Sequence, residues 1–177
     1  NSYLNCGVDG QTSSNMIDRF GSNIVDDNPQ CVVITCGTND LAENMSCDGY
    51  RVHVRKENLL ANIALMSRIA EDMGVPVILG SICPTRSMWW KSDAWKAEFD
   101  GDYIASKVIE ANNLIKAYAA ERGYRYADYH SALKNDQNGL ADEYCWVFGT
   151  KPDGTLNLDS VHPNAKAFLV MEGILKP

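Results

Sequence analysis

The sequence predicts an α/β domain built on a parallel sheet with helices on both faces. Three observations carry that prediction. Short apolar runs rich in β-branched residues alternate with long helix-periodic segments, two of those helices stop on a glycine, and the 177 residues suffice for one domain rather than two ordinary ones. No internal repeat or low-complexity stretch breaks the alternation.

Taken in order, Ser13 to Phe20 begins a short helix after a glycine-containing turn. Residues 30–36, Gln-Cys-Val-Val-Ile-Thr-Cys, form a continuous run ending at Gly37, the pattern of a parallel strand buried on both faces. Over 57–73, Leu59, Leu60, Ile63, Met66, Ile69, Ala70 and Met73 recur at helical spacing, and Gly74 stops the helix. Val75 to Ile82 is the next strand, closed by Pro84. A second long helix covers 102–122, with Ile104, Val108, Ile109, Leu114, Ile115 and Tyr118 on its apolar positions and Gly123 as its stop. Tyr124 to Tyr129 is a short strand, and Pro163 to Leu175 a closing helix with Pro163 in its first turn.

Composition excludes several classes. Hydrophobic residues at 45% and charged residues at 22% are globular values, not those of a disordered chain. Sixteen Lys and Arg against 23 Asp and Glu give a charge of -7, so a nucleic-acid partner, which wants clustered cations, is not expected. No apolar run reaches the roughly 18–20 residues of a membrane span. The six cysteines include no CxxC and no Cys/His cluster at zinc spacing, so no metal is expected. Cys31, Cys36 and Cys83 lie in or beside apolar runs and are expected as buried or half-buried free thiols. Unpaired thiols lean the compartment toward the cytoplasm, with secretion left open.

Parallel sheets place ligands at the carboxyl ends of their strands. The turns at 5–12 and 37–40 and the segments 85–101 and 157–164 are therefore the candidate loops. In Asp159-Ser-Val-His162-Pro163, a carboxylate three residues before a histidine can orient the imidazole and leave its other nitrogen as a base. Asn39, after the 30–36 strand, can aim an amide N–H into the cleft, and Gly10 can aim a backbone N–H. Trp89, Trp90 and Trp95 make the 85–101 segment a candidate substrate wall as well as candidate core cover. His53, among Arg51, Arg55 and Lys56, reads as solvated, and His130 as a structural residue at a strand end. Asn44-Met45-Ser46 matches the glycosylation sequon.

Together and in this order, Asn5-Cys-Gly-Val-Asp-Gly10-Gln-Thr, Val33-Ile-Thr-Cys-Gly37-Thr-Asn39-Asp40 and Asp159-Ser-Val-His162-Pro163 resemble the second, third and fifth blocks of the SGNH, or GDSL-type, hydrolases. The resemblance runs from about residue 3 to the end of the chain. It implies a three-layer α/β/α sandwich with a flavodoxin-like parallel sheet. It also implies a Ser-His-Asp esterase in which His162 is the base, Asp159 its orienting partner, and Gly10 and Asn39 oxyanion donors. No cofactor is implied, and the expected partner is a small-molecule or carbohydrate ester.

The family's first block, the Gly-Asp-Ser that carries the nucleophile, has no counterpart here. Ser2, Ser13, Ser14 and Ser81 lack its context, and no GxSxG occurs. The expectation is that residues 1–177 are one SGNH-like domain without its N-terminal strand and nucleophile block, read from a longer protein. The expected reaction is hydrolysis of small acyl esters, with O-acetyl groups on carbohydrate favoured by the tryptophan-rich segment. The rivals are a non-catalytic carbohydrate-binding module of the same fold, and a thioesterase or lipase of the family. A nucleotide-binding flavodoxin-like protein is a more distant rival, because neither GxxxxGK[ST] nor GxGxxG is present.

Overall fold

The computed structural model describes residues 2–44 and 56–176. Three parallel strands, β1 (Val32–Ile34), β2 (Val77–Gly80) and β3 (Arg125–Ala127), lie side by side in that order. Val32 pairs with Val77 and Ile34 with Leu79; Ile78 pairs with Arg125 and Gly80 with Ala127. Helix α1 (Ser13–Asp27) precedes the sheet. The crossover from β1 to β2 contains α2 (Thr38–Asn44) and α3 (Lys56–Asp72); that from β2 to β3 contains α4 (Asp93–Glu98) and α5 (Gly101–Arg122). After β3 come α6 (Tyr129–Leu133), an antiparallel hairpin of β4 (Cys145–Thr150) and β5 (Leu156–Pro163), and α7 (Ala165–Leu175).

Side-chain alternation along β2 sorts the layers. Val77 and Leu79 join a core with Phe20 and Ile24 of α1, Ile63 and Met66 of α3, and Val108 and Ile115 of α5. Ile78 points to the other face, where Ala127, Leu133 and Ala167 form a second core with Val170 and Ile174 of α7. This is the predicted α/β/α sandwich.

Several expectations need correction. β1 was expected to be buried on both faces, yet Val33 is 38% exposed, because the second core reaches β2 and β3 but includes no β1 residue. α1 continues past Gly21 to Asp27, since burial of Phe20 and Ile24 outweighs the roughly 1 kcal/mol that a helical glycine costs. The expected loop at 157–164 is the strand β5, so Pro163 ends a strand and Asn164, whose Oδ1 accepts from the Ala167 N–H at 3.1 Å, caps α7. The 85–101 segment holds the short helix α4, capped by Ser92. Cys36 and Cys83 are half-buried and Cys145 buried as free thiols, but Cys6 and Cys31 are exposed; Cys31 lies just ahead of β1 rather than within it. Cys47, His53, and residues 45 and 46 of the sequon lie outside the described residues. No described helix is long and apolar enough to cross a membrane.

Candidate active site

The turn after β1 begins at Gly37. Its φ of +131° is a glycine conformation, and a Cβ there would come within 2.5 Å of Ile82 Cδ1. The expected 37–40 turn is in fact the first turn of α2, which starts at Thr38. Asp40, fully buried, reaches across to α1 and accepts the Ser13 N–H with both carboxylate oxygens, at 3.1 and 2.9 Å. The Ser13 hydroxyl also donates to Asp40, and Asn62 of α3 donates to that hydroxyl at 2.8 Å. Asp40 therefore caps the N-terminus of α1, where a carboxylate meets both unpaired N–H groups and the positive end of the helix dipole.

One residue earlier, Asn39 Nδ2 donates to the Gln11 carbonyl at 3.0 Å. Gly10, with φ +73° and open space where a Cβ would stand, adjoins Gln11 in the same exposed turn. The two predicted oxyanion residues thus belong to one hydrogen-bonded corner, held by Asp40 below and Asn39 above. Gln11 and Asn62, which hold that corner together, carried no recognisable sequence signal.

The second group sits on the hairpin. His162 Nδ1 lies 2.5 Å from Asp159 Oδ2. Asp159 is 2% exposed, whereas the imidazole is largely open to solvent. Asp159 Oδ1 accepts the N–H groups of Val161 at 2.9 Å and His162 at 3.2 Å, and the indole N–H of Trp89 at 3.2 Å. Burial pushes the carboxyl upward, but the bond from His162 and the two backbone N–H groups together outweigh it and hold Asp159 below the usual aspartate range. An ionised Asp159 can only accept, so Nδ1 carries the proton and donates it, leaving Nε2 as the basic nitrogen. Nε2 has no hydrogen-bond partner among the described residues.

Trp89 and Trp90 follow the carboxyl end of β2, the neighbour of β1, and β1 leads into the α2 turn that holds Asn39. Their rings meet edge to face at 5.7 Å, and Trp89 meets Phe148 of β4 in the same way at 5.4 Å. Ser87, Trp89, Phe148, Asn157, Leu158 and Ser160 line an open cleft of about 410 Å³ beside Asp159. Trp95 does not join them. It is 3% exposed in the main core, its ring 5.0 Å from Phe99, because α4 turns that side chain inward. Phe148 lies outside the four candidate loops, whereas Asn157 opens one of them; the aromatic and β-branched run Trp146-Val147-Phe148 is the sequence signal for β4. Among the described residues, no cluster of His, Cys, Asp and Glu could hold a metal ion.

Comparison with known proteins gives the same architecture. A GDSL-like lipase from Bacteroides thetaiotaomicron VPI-5482 superposes with a TM-score of 0.75 at 28% identity, covering 98% of this chain and 73% of that one. A structure from Bacteroides fragilis NCTC 9343 matches with the same TM-score and identity over 98% and 72% of the two chains. A catalytic mutant of an acetylxylan esterase from Geobacillus stearothermophilus shares the fold at 17% identity and a TM-score of 0.65, over 98% and 74%. No curated protein is significantly similar. The sequence model of the GDSL-like lipase/acylhydrolase family matches residues 1–168, and the chain therefore belongs to that family of ester-hydrolysing enzymes.

Proposed function

We propose that the protein hydrolyses small acyl esters, with O-acetyl groups on carbohydrate as the substrate class, through a Ser-His-Asp triad. His162 and Asp159 supply the base and its partner. The observation that carries this reading is the 2.5 Å contact between His162 Nδ1 and a buried Asp159 that leaves Nε2 facing outward.

In this reading the serine oxygen attacks the ester carbonyl carbon while Nε2 takes its proton. Asp159 keeps the imidazole in the Nδ1–H tautomer and stabilises the imidazolium. The carbonyl electron pair moves onto oxygen, where the Gly10 N–H and the remaining Asn39 amide hydrogen receive the negative charge. On collapse, the imidazolium protonates the departing alkoxide, and water repeats the sequence on the acyl-enzyme. The substrate class takes its support from the cleft: exposed aromatic faces of Trp89 and Phe148 beside the polar side chains of Ser87, Asn157 and Ser160 suit a sugar ring better than an acyl chain.

The test is p-nitrophenyl acetate and acetylated xylo-oligosaccharide hydrolysis by the protein. His162→Ala should abolish turnover, while His130→Ala and His53→Ala should retain most of it. Wild-type kcat/KM in folded His162→Ala would refute the triad. A preference for long-chain over acetyl esters would refute the substrate class.

A further inference from the structure

The hairpin that carries Asp159 and His162 pairs with no strand of the parallel sheet. Two of the three donors to Asp159 Oδ1, the N–H groups of Val161 and His162, belong to the same strand and move with it. The third, the Trp89 indole, lies 70 residues away in sequence and follows the fully buried Met88 in the segment between β2 and α4. It is the one side chain outside the hairpin that donates to this carboxylate among the described residues.

We propose that Trp89 is a positioning residue for the acid–base pair: its indole N–H fixes Asp159 Oδ1 so that Oδ2 stays aimed at His162. The inference deepens the triad reading and rests on it. It assigns the Trp89 ring two tasks, since the face that lines the cleft belongs to the group whose edge holds the carboxylate. A sugar packed on that face presses on the residue that orients the base.

The sign of the expected effect follows from charge sharing. Each donor to Oδ1 withdraws negative charge from the carboxylate. Removing the indole N–H while both backbone donors remain leaves more charge on Oδ2, which favours the imidazolium and raises the pH at which His162 titrates. The titratable groups that face Asp159 are His162 itself and the Cys145 thiol. Cys145 stays neutral through this range, because burial first, then Asp142 and Asp159, push it up to about 11.

The experiment is an NMR titration of the His162 ring in this chain, assigned with His162→Ala. Trp89→Phe keeps an aromatic ring and deletes the donor; it should move the His162 midpoint upward from that of the unsubstituted protein. Phe148→Leu perturbs the ring contact but keeps the donor and should leave the midpoint in place. In the unsubstituted chain, the Trp89 indole N–H resonance should shift with the same midpoint, a readout that needs no variant to fold. A Trp89→Phe midpoint that stays or falls, or an indole resonance indifferent to His162, overturns the proposal. Failure of the esterase reading looks different: His162→Ala would keep its hydrolytic activity while the titration behaviour stood unchanged.

Discussion

Asn39 gives one of its two amide hydrogens to the Gln11 carbonyl, 3.0 Å away, so the β1 corner and the Gly10 turn are locked by a side chain that still has a donor to spare. Gln11 in turn accepts from Arg19 Nε at 2.8 Å through its own side chain, which ties the turn to α1. One amide group thus holds the turn with one hydrogen and keeps the other available for the proposed oxyanion role.

In the proposed oxyanion role, Asn39→Ala should lower kcat far more than it raises KM. Loss of one oxyanion donor typically costs about 10²–10³ in kcat, or roughly 2.7–4 kcal/mol. Steady-state kinetics and thermal unfolding on one preparation check this. An unchanged kcat with a lowered Tm would leave Asn39 with the Gln11 contact alone.

Asp40→Ala should destabilise the fold, because the buried Ser13 N–H and hydroxyl lose their acceptor. Leaving such groups unpaired costs about 1–3 kcal/mol. Asp40→Asn keeps one acceptor oxygen and should cost less. Urea unfolding with an unchanged m-value would report the difference.

His130 makes stability depend on pH. Its ring is buried, and burial lowers its midpoint below the ordinary 6.5, with Lys134 adding to the effect and Asp128 opposing it. Between the lowered value and 6.5 the unfolded chain binds more protons than the folded one. Stability should thus fall as pH drops below about 6.5. His130→Gln should flatten this dependence in urea midpoints measured from about pH 5 to pH 8. Parallel curves for the two proteins would contradict it.

Thiol labelling should proceed in two groups. Cys6 and Cys31 are exposed and should react first in the native protein. Cys36, Cys83 and Cys145 should wait for denaturant, since burial pushes Cys83 up to about 12 and raises Cys36 strongly. Peptide mapping after timed alkylation distinguishes the groups.

What could be read from sequence was what is encoded locally. Asp159 and His162 are three residues apart on one strand, so their contact is made within a single element. The apolar stripes of α3 and α5, with Gly74 and Gly123 behind them, likewise declare themselves over one or two windows. The remainder depends on what packs against what. Trp89, Trp90 and Trp95 look alike in the sequence, but α4 rotates Trp95 into the core and leaves the other two outside. Asp40 reads as part of a turn motif, whereas its partner Ser13 lies 27 residues away. β4 carries only its aromatic and β-branched run as a signal: Trp146, Val147 and Phe148 are consecutive apolar residues without the alternation of a half-buried strand, and all three are exposed.

The separate hairpin gives the enzyme two thermometers. An isolated two-stranded ribbon is marginal in water, and this one is tethered through Asn164, which donates to the carbonyls of Glu143 and Cys145 at 2.9 Å each, and through α7. His162 and Asp159 ride on that ribbon, while the Gly10 and Asn39 corner is anchored to α1 and the end of β1. In the proposed triad, opening of the ribbon would disable proton transfer with the three parallel strands still folded, so heat should silence the enzyme at a lower temperature than the one that melts its core.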